Sequence, residues 1–459
     1  MLKVFSPYNQ ELIKEIPLNT VEDVERALHK ATAVFNDKQN WMPAFQRVAI
    51  LERVVEIMTS REDYLADLAT KEGGKPLMDS KVEVLRAING VKIAAQTINQ
   101  LHGEEIPMGL TPSSTNRISF TTKEPIGVVV AISAFNHPLN LIVHQVATAI
   151  AAGCPVIVKP ALTTPLSCIE FVEILKEAGL PRDWCQLIIC EDELAEKLAT
   201  DTRVNYLTFI GSAKVGWYLR SKIAPGTRIA LEHGGVAPVI VEQDADVAEL
   251  IPAIVKGGFY HAGQVCVSVQ RVFVHEQFLD KFLPLLVKAT NNTKVGNPLD
   301  EKTQVGPLIL PTEVDRVEAW VNEAINEGAE LLCGGKRISS SCFEPTVLLN
   351  PNKNSKVSVQ EIFGPVICIY TYKKIEEAIN QANALSFAFQ AAVFTKNIDK
   401  AFSISKQLNA AAVMINDHTA FRVDWMPFGG RKSSGIGVGG IQYTINEMLQ
   451  DKLLVIKTN

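Results

Sequence analysis

The sequence predicts an α/β protein. Between Gly127 and Ile210 short apolar strands alternate with helices of about 10 to 15 residues, the pattern of parallel βαβ units, and beyond Cys266 the same alternation resumes. The run Gly127–Ile132 is apolar throughout rather than at every second position, which suits a strand covered on both faces.

The first hundred residues read as mainly helical. Val21, Val24, Ala27, Leu28 and Ala31 recur at helical spacing, with Thr20 as cap and Asp23 as capping acid. Further helices are predicted over Ala44–Thr59, Glu62–Glu72 and Ser80–Leu101, the last carrying Arg86. Ile118–Lys123 alternates as a strand. After Gly127–Ile132 the order is helix Leu139–Ala152, strand Pro155–Lys159, helix Pro165–Ala178, strand Cys185–Ile189, helix Glu191–Thr200 and strand Tyr206–Ile210. A dinucleotide is the usual guest at the carboxyl ends of such strands. Strands over Arg228–Leu231 and Pro238–Val241 bracket Glu232-His233-Gly234-Gly235, and the boundary between the two halves is set near 234. A helix over Val247–Tyr260 and a strand over Arg271–His275 leave Gly263–Cys266 as the turn between them. Then come helices Gln277–Thr290 and Thr312–Glu327, strand Cys368–Tyr372, helix Ile375–Ala384, strand Ala391–Thr395, helix Ile398–Leu408 and strand Ala412–Ile415. Lys452–Lys457 alternates weakly and reads as a strand docked on another sheet, a neighbouring subunit's.

Composition bounds the function. The 459 residues have room for about three domains of roughly 150 each. The net charge of −5 is interspersed, so no basic stripe points to nucleic acid, and a small-molecule substrate is the expectation. The most apolar stretch, Leu141–Val158, is broken by His144, Gln145, Gly153 and Pro155, which argues against a bilayer span. Met1–Gln10 mixes Lys3, Pro7 and polar residues, unlike a signal peptide. The eight cysteines contain no C-x-x-C pair and no zinc spacing, and read as reduced thiols in a cytoplasmic protein without a metal.

Four features could carry chemistry. Cys266 follows Ala262 and Gly263 and precedes Ser268; small neighbours leave room around a nucleophilic sulfur, while a free cysteine also packs as a small apolar residue. Asn136, just past a buried strand, is placed either to donate to a developing oxyanion or to cap the next helix. Glu232, between an apolar strand and two glycines, is a general base if desolvated and otherwise a surface acid. Gly211-Ser-Ala-Lys-Val-Gly216 has phosphate-loop spacing without the following Lys-Ser/Thr; its N–H groups either face a pyrophosphate or make a tight turn. Gly435-Ile-Gly-Val-Gly-Gly440 matches G-x-G-x-x-G but has no βαβ unit after it.

Taken in order, Phe135-Asn136-His-Pro-Leu-Asn140, Val158-Lys159-Pro160-Ala161, Phe209-Ile-Gly211-Ser-Ala-Lys-Val-Gly216, Leu231-Glu232-His-Gly-Gly235, Gly263-Gln-Val-Cys266, Glu361-Ile-Phe363-Gly-Pro and Pro427-Phe-Gly-Gly430 resemble the aldehyde dehydrogenase superfamily. The resemblance runs from about residue 4 to residue 457, and Cys266 stands 34 positions after Glu232, as in that family. It implies a Rossmann-like cofactor-binding domain (1–117 and 139–233), an α/β catalytic domain (234–430) and a small β oligomerisation arm (118–138 and 431–459), assembled as a homodimer or homotetramer. It also implies NAD(P)-dependent oxidation of an aldehyde. Cys266 attacks the carbonyl, Asn136 and the Cys266 N–H hold the oxygen, and Glu232 activates the water that hydrolyses the thioester. Lys159, Gly211, Ser212, Gly216, Glu361 and Phe363 are the implied cofactor contacts. Where many NAD-preferring members carry a glutamate three residues after the lysine, this chain has Leu162, so the cofactor is NAD or NADP.

His137 replaces a frequent aromatic beside the oxyanion asparagine, and the resemblance brings Arg86 and Arg422 to the substrate funnel. Such a trio suits a short anionic aldehyde, phosphonoacetaldehyde by the likeness of the Phe-Asn-His-Pro-Leu-Asn stretch to phosphonoacetaldehyde dehydrogenases. Lactaldehyde or a semialdehyde is the alternative substrate, and each arginine also reads as half of a structural salt bridge. Transfer of the acyl group to CoA, or an idle dinucleotide-binding scaffold, are the competing functions; Glu232 argues against the first and the Cys266, Glu232 and Asn136 set against the second.

Overall fold

The computed structural model describes all 459 residues. Two mostly parallel sheets dominate it. The first has six strands in the order Gly435–Ile436, Arg228–Glu232, Tyr206–Ile210, Val129–Ile132, Val156–Lys159, Cys185–Leu187, all parallel except the first. The chain builds outward from Val129–Ile132 in one direction, then returns to add Tyr206–Ile210 on the other side. The crevice at that reversal is where open α/β sheets bind ligands, at the carboxyl ends of the strands.

The second sheet has seven strands: Glu330–Cys333, Thr346–Leu349, Val366–Tyr372, Val269–His275, Ala237–Val241, Gln390–Phe394 and Ala412–Ile415. Only Glu330–Cys333, at its edge, is antiparallel. The chain crosses from the first sheet to the second between Glu232 and Ala237. A two-stranded ribbon pairs Arg117–Pro125 with Leu449–Lys457, and Leu2–Phe5 and Leu12–Ile16 form a separate hairpin.

Burial explains why these segments order as they do. Val129–Ile132 is buried at every position, as its uniform apolarity predicts, and all of the helix Asn140–Ala152 is buried against it. The Leu77–Ile98 and Asn140–Ala152 helices pack together, joined by Ile441 and Ile445 of the helix Ile441–Glu447.

Three expectations change. Residues 118–138 are not one arm: Val129–Ile132 is the fourth strand of the six-stranded sheet, and only Arg117–Pro125 belongs to the ribbon. Residues 435–448 likewise fold onto the first sheet and its helices, Arg431–Lys432 pairs with Phe387–Ala388, and Leu449–Lys457 pairs with Arg117–Pro125 of its own chain rather than with a neighbouring subunit's sheet. The helix expected from Ser80 begins at Leu77, directly after Pro76, whose fixed φ suits a helix start.

Candidate active site

One large cavity, about 700 Å³, opens between the two sheets. The carboxyl ends of the first sheet supply Ser133–His137, Lys159, Gly211, Ser212 and Glu232; the amino-terminal side of the second supplies Val265–Val267, Glu361 and Phe363. Arg86, Tyr260, Arg422 and Phe428 complete the wall around Cys266.

The loop that carries Cys266 is shaped by its backbone. His261, Ala262 and Gly263 take left-handed φ values of 49°, 55° and 72°, a costly turn for the first two. It reverses the chain just ahead of Cys266, whose side chain is half-buried. Cys266 packs among Val265, Val267, Phe389 and Phe428. Its carbonyl accepts from the Gly235 N–H at 3.1 Å, which ties the crossover beside Glu232 to the cysteine loop. Gly234 cannot carry a side chain, because a Cβ there would lie 1.6 Å from the Glu361 carboxylate.

Asn136 is buried and does not cap the following helix; its Nδ2 donates to the Gln264 carbonyl at 2.9 Å. That bond uses one amide hydrogen and fixes the side chain beside the cysteine loop, leaving the second N–H for a ligand. The helix start behind Asn136 is held by Glu83, whose Oε1 accepts from the Leu139 and Asn140 N–H groups at 3.0 Å each, while its Oε2 pairs with the buried Lys75 ammonium. Glu72 caps the Leu166–Glu177 helix in the same manner, accepting from the Leu166 and Ser167 N–H groups at 2.7 Å.

Charge around the sulfur is unbalanced. Burial, then the Glu232 carboxylate, push the Cys266 thiol well above its ordinary value, and Arg422 offsets them only in part. Glu232 is itself raised by burial, with Arg422 opposing. Burial raises Glu361 to about 8, against the Gly235 N–H and Arg316, and its Oε1 has no hydrogen-bond partner. The resting site therefore favours a neutral thiol beside carboxylates that hold protons readily.

The anion-binding trio does not survive intact. Arg86 is a salt bridge, forked onto Asp424 at 3.0 and 2.8 Å, and Asp424 also accepts from Asn140 at 3.2 Å and meets His144 at 2.7 Å. His137 is buried and neutral, its basicity lowered by burial and by Lys75 and Arg86; its Nε2 stands 3.4 Å from the Tyr260 hydroxyl. Arg422 alone keeps a cation without a hydrogen bond. It lies 3.6 Å over the Phe428 ring, with Nη1 4.0 Å from Glu232 Oε1.

The remaining walls fit a dinucleotide. Lys159 reaches the cavity with no acid within salt-bridge distance, and Ser133 Oγ is buried there without a partner. Gly211 and Ser212 lead into the helix Ala213–Arg220 and present its N-terminal side to the cavity. Gly216 is not a wall residue: a Cβ there would come within 2.0 Å of the His233 ring, so this glycine lets the helix sit on the crossover loop. Phe363, at φ 47°, meets Phe135 edge-on at 5.8 Å across the cavity. Leu162 lines the cavity where a carboxylate was absent from the sequence. Ser133, Tyr260, Glu83 and Asp424 were not singled out from the sequence. The 83/86 helical spacing was the available signal for Glu83, and nothing local marks Asp424.

The chain belongs to the aldehyde dehydrogenase family, whose model matches residues 1–454. It is accordingly an oxidoreductase. Among its relatives, 3-sulfolactaldehyde dehydrogenase of Priestia aryabhattai is 38% identical, with 99% of this chain and 94% of the relative covered. Lactaldehyde dehydrogenase of Methanococcus vannielii is also 38% identical, covering 99% of this chain and 97% of the relative. The crystal structure of glyceraldehyde-3-phosphate dehydrogenase GapN from Methanocaldococcus jannaschii, complexed with NADP, matches with a TM-score of 0.95 and 38% identity over 100% of this chain and 99% of that one.

A carboxyl raised by burial makes the folded state bind its proton more tightly than the unfolded chain, so its stabilising share is lost as pH rises towards the folded value of about 8. Glu361→Gln removes that loss. Its melting temperature should exceed the wild type's by about 2 °C or more above pH 8, with the difference shrinking towards pH 5; a difference equal at both pH values in a thermal scan would refute the assignment.

Proposed function

We propose that the chain oxidises a short aldehyde carrying an anionic group to its carboxylate with NAD or NADP. The observation that carries this reading is Arg422: a cation with no hydrogen bond, buried in the wall that holds Cys266 and Glu232. A buried guanidinium without acceptors calls for a ligand that brings them. Relatives named for sulfolactaldehyde and glyceraldehyde-3-phosphate support an anionic tail, and together with lactaldehyde they share a three-carbon 2-hydroxyaldehyde. This moves the finer reading from phosphonoacetaldehyde to a 2-hydroxyaldehyde with sulfonate or phosphate at its far end. His137 and Tyr260 are the neutral groups available to the hydroxyl.

In this reading Lys159, Ser133, Gly211 and Ser212 hold the dinucleotide, with Glu361 and Phe363 at its nicotinamide end. When bound, NAD or NADP supplies the hydride acceptor. Cys266 Sγ bonds to the aldehyde carbon as its proton passes to water in the open cavity, and the free N–H of Asn136 with the Cys266 N–H holds the oxygen. Oxidation leaves the acyl group on Sγ as a thioester. Glu232 then takes a proton from the attacking water as the carbon–sulfur bond breaks. A buried base in the same cavity favours water over CoA as acceptor.

Cys266→Ala should abolish dinucleotide reduction at 340 nm, and Asn136→Ala should lower kcat about 100- to 1,000-fold. Full turnover by the cysteine variant would end this mechanism. Arg422→Ala should lower kcat/KM for a sulfonated or phosphorylated aldehyde about 10- to 100-fold and leave propanal nearly unchanged; equal losses for both would remove the anion site.

The ribbon supports a homo-oligomer, dimer or tetramer. Leu453 and Val455 on one face of it, and Ile118 and Ile456 on the other, stay about half exposed, apolar surface suited to a second copy. Light scattering should give a multiple of 50.3 kDa. Paired substitutions Leu453→Lys and Val455→Lys should shift it to the monomer, and an unchanged mass would exclude the ribbon as the interface.

A further inference from the structure

Arg422 and Glu232 form an ion pair held slightly too far apart. The Nη1–Oε1 separation is 4.0 Å, with 10% of the arginine side chain and 15% of the glutamate side chain exposed. Neither side chain makes a hydrogen bond, and Arg422 Nε is buried without a partner. Of the other cations, Arg86 is committed to Asp424, Lys75 to Glu83 and Lys256 to Asp79, and Lys159 belongs to the wall assigned to the dinucleotide. Glu232 therefore has one cation at ion-pair distance, and an anion on the Cys266 side of the cavity has the same one.

We propose that Arg422 couples substrate charge to the hydrolytic step: an anionic tail displaces Glu232 from Arg422, and the carboxylate so released serves as base for the water that attacks the acyl-Cys266. In that step the water oxygen bonds to the acyl carbon, one water proton passes to Glu232, and the carbon–Sγ bond breaks with its electron pair left on sulfur. A carboxylate facing a guanidinium is the weaker base, so an acyl group without an anionic tail leaves hydrolysis slow. The pairing makes Arg422 a device that favours the right substrate twice, once on binding and again on release. This inference rests on the anionic-aldehyde reading above.

The coupling can be read without a dinucleotide. 4-Nitrophenyl acetate should acylate Cys266 with a burst of nitrophenolate, after which turnover is set by hydrolysis of the acetyl-enzyme. Methanesulfonate, a tail separated from its aldehyde, should occupy Arg422 and raise the steady rate several-fold while leaving the burst rate unchanged. Arg422→Gln should show the raised steady rate without the additive and no response to it, and Arg422→Lys should keep part of the response. If methanesulfonate leaves the wild-type steady rate unchanged or slows it, the coupling is overturned, whether or not the variants fold. The kcat/KM comparison separates the two ideas. Selectivity lost in Arg422→Ala with no methanesulfonate effect leaves the anion site standing and removes the coupling. Acceleration without a selectivity change keeps the coupling and removes the proposed substrate class.

Discussion

Glu83 is the carboxylate on which the Asn136 side of the cavity rests. It is buried, paired with Lys75, and accepts from the two N–H groups that open the Asn140–Ala152 helix. A helix N-terminus carries partial positive charge and orphan donors, so an anion there satisfies both at once. Removing one member of such a buried pair costs about 3–5 kcal/mol, because the other charge is left without compensation. Asn136 sits between this anchored helix and the cysteine loop to which its amide is bonded. Asn136 thus inherits its position from Glu83 and Lys75, neither of which lines the cavity.

The second constraint is electrostatic. Glu232 and Glu361 share the cavity with Cys266; Arg422 answers the first and Arg316 the second. Arg86, which lines the same wall, is neutralised by Asp424. The Arg86–Asp424 fork belongs to the architecture instead: through Asn140 and His144 it fastens the loop that carries Arg422 to the buried helix. Two arginines on one wall therefore have opposite duties, one spent on structure and one free.

Legibility from sequence followed the range of the interactions. Cys266, Glu232 and Asn136 stood out because each lies in a short motif at a strand or helix end, and the central strand because all its positions are apolar. Arg86 could not be assigned, since its partner lies 338 positions away. Glu83 looked like one more acid on a helix, and only packing shows that it is out of water. The error over residues 118–138 has a local cause: Pro125-Ile126-Gly127 is a short corner joining strands of two different sheets. The Leu2–Phe5 hairpin and the edge strand Glu330–Cys333 escaped because short, partly exposed strands lack a strong period.

The neutral state of the sulfur in the resting cavity bears on the durability of the protein. Peroxides and disulfides consume thiolates, and a thiol whose proton is retained by burial and flanking carboxylates is a poor target for them. On the mechanism proposed above, the same retention of the proton spares the sulfur between turnovers and requires that it be given up afresh in each one.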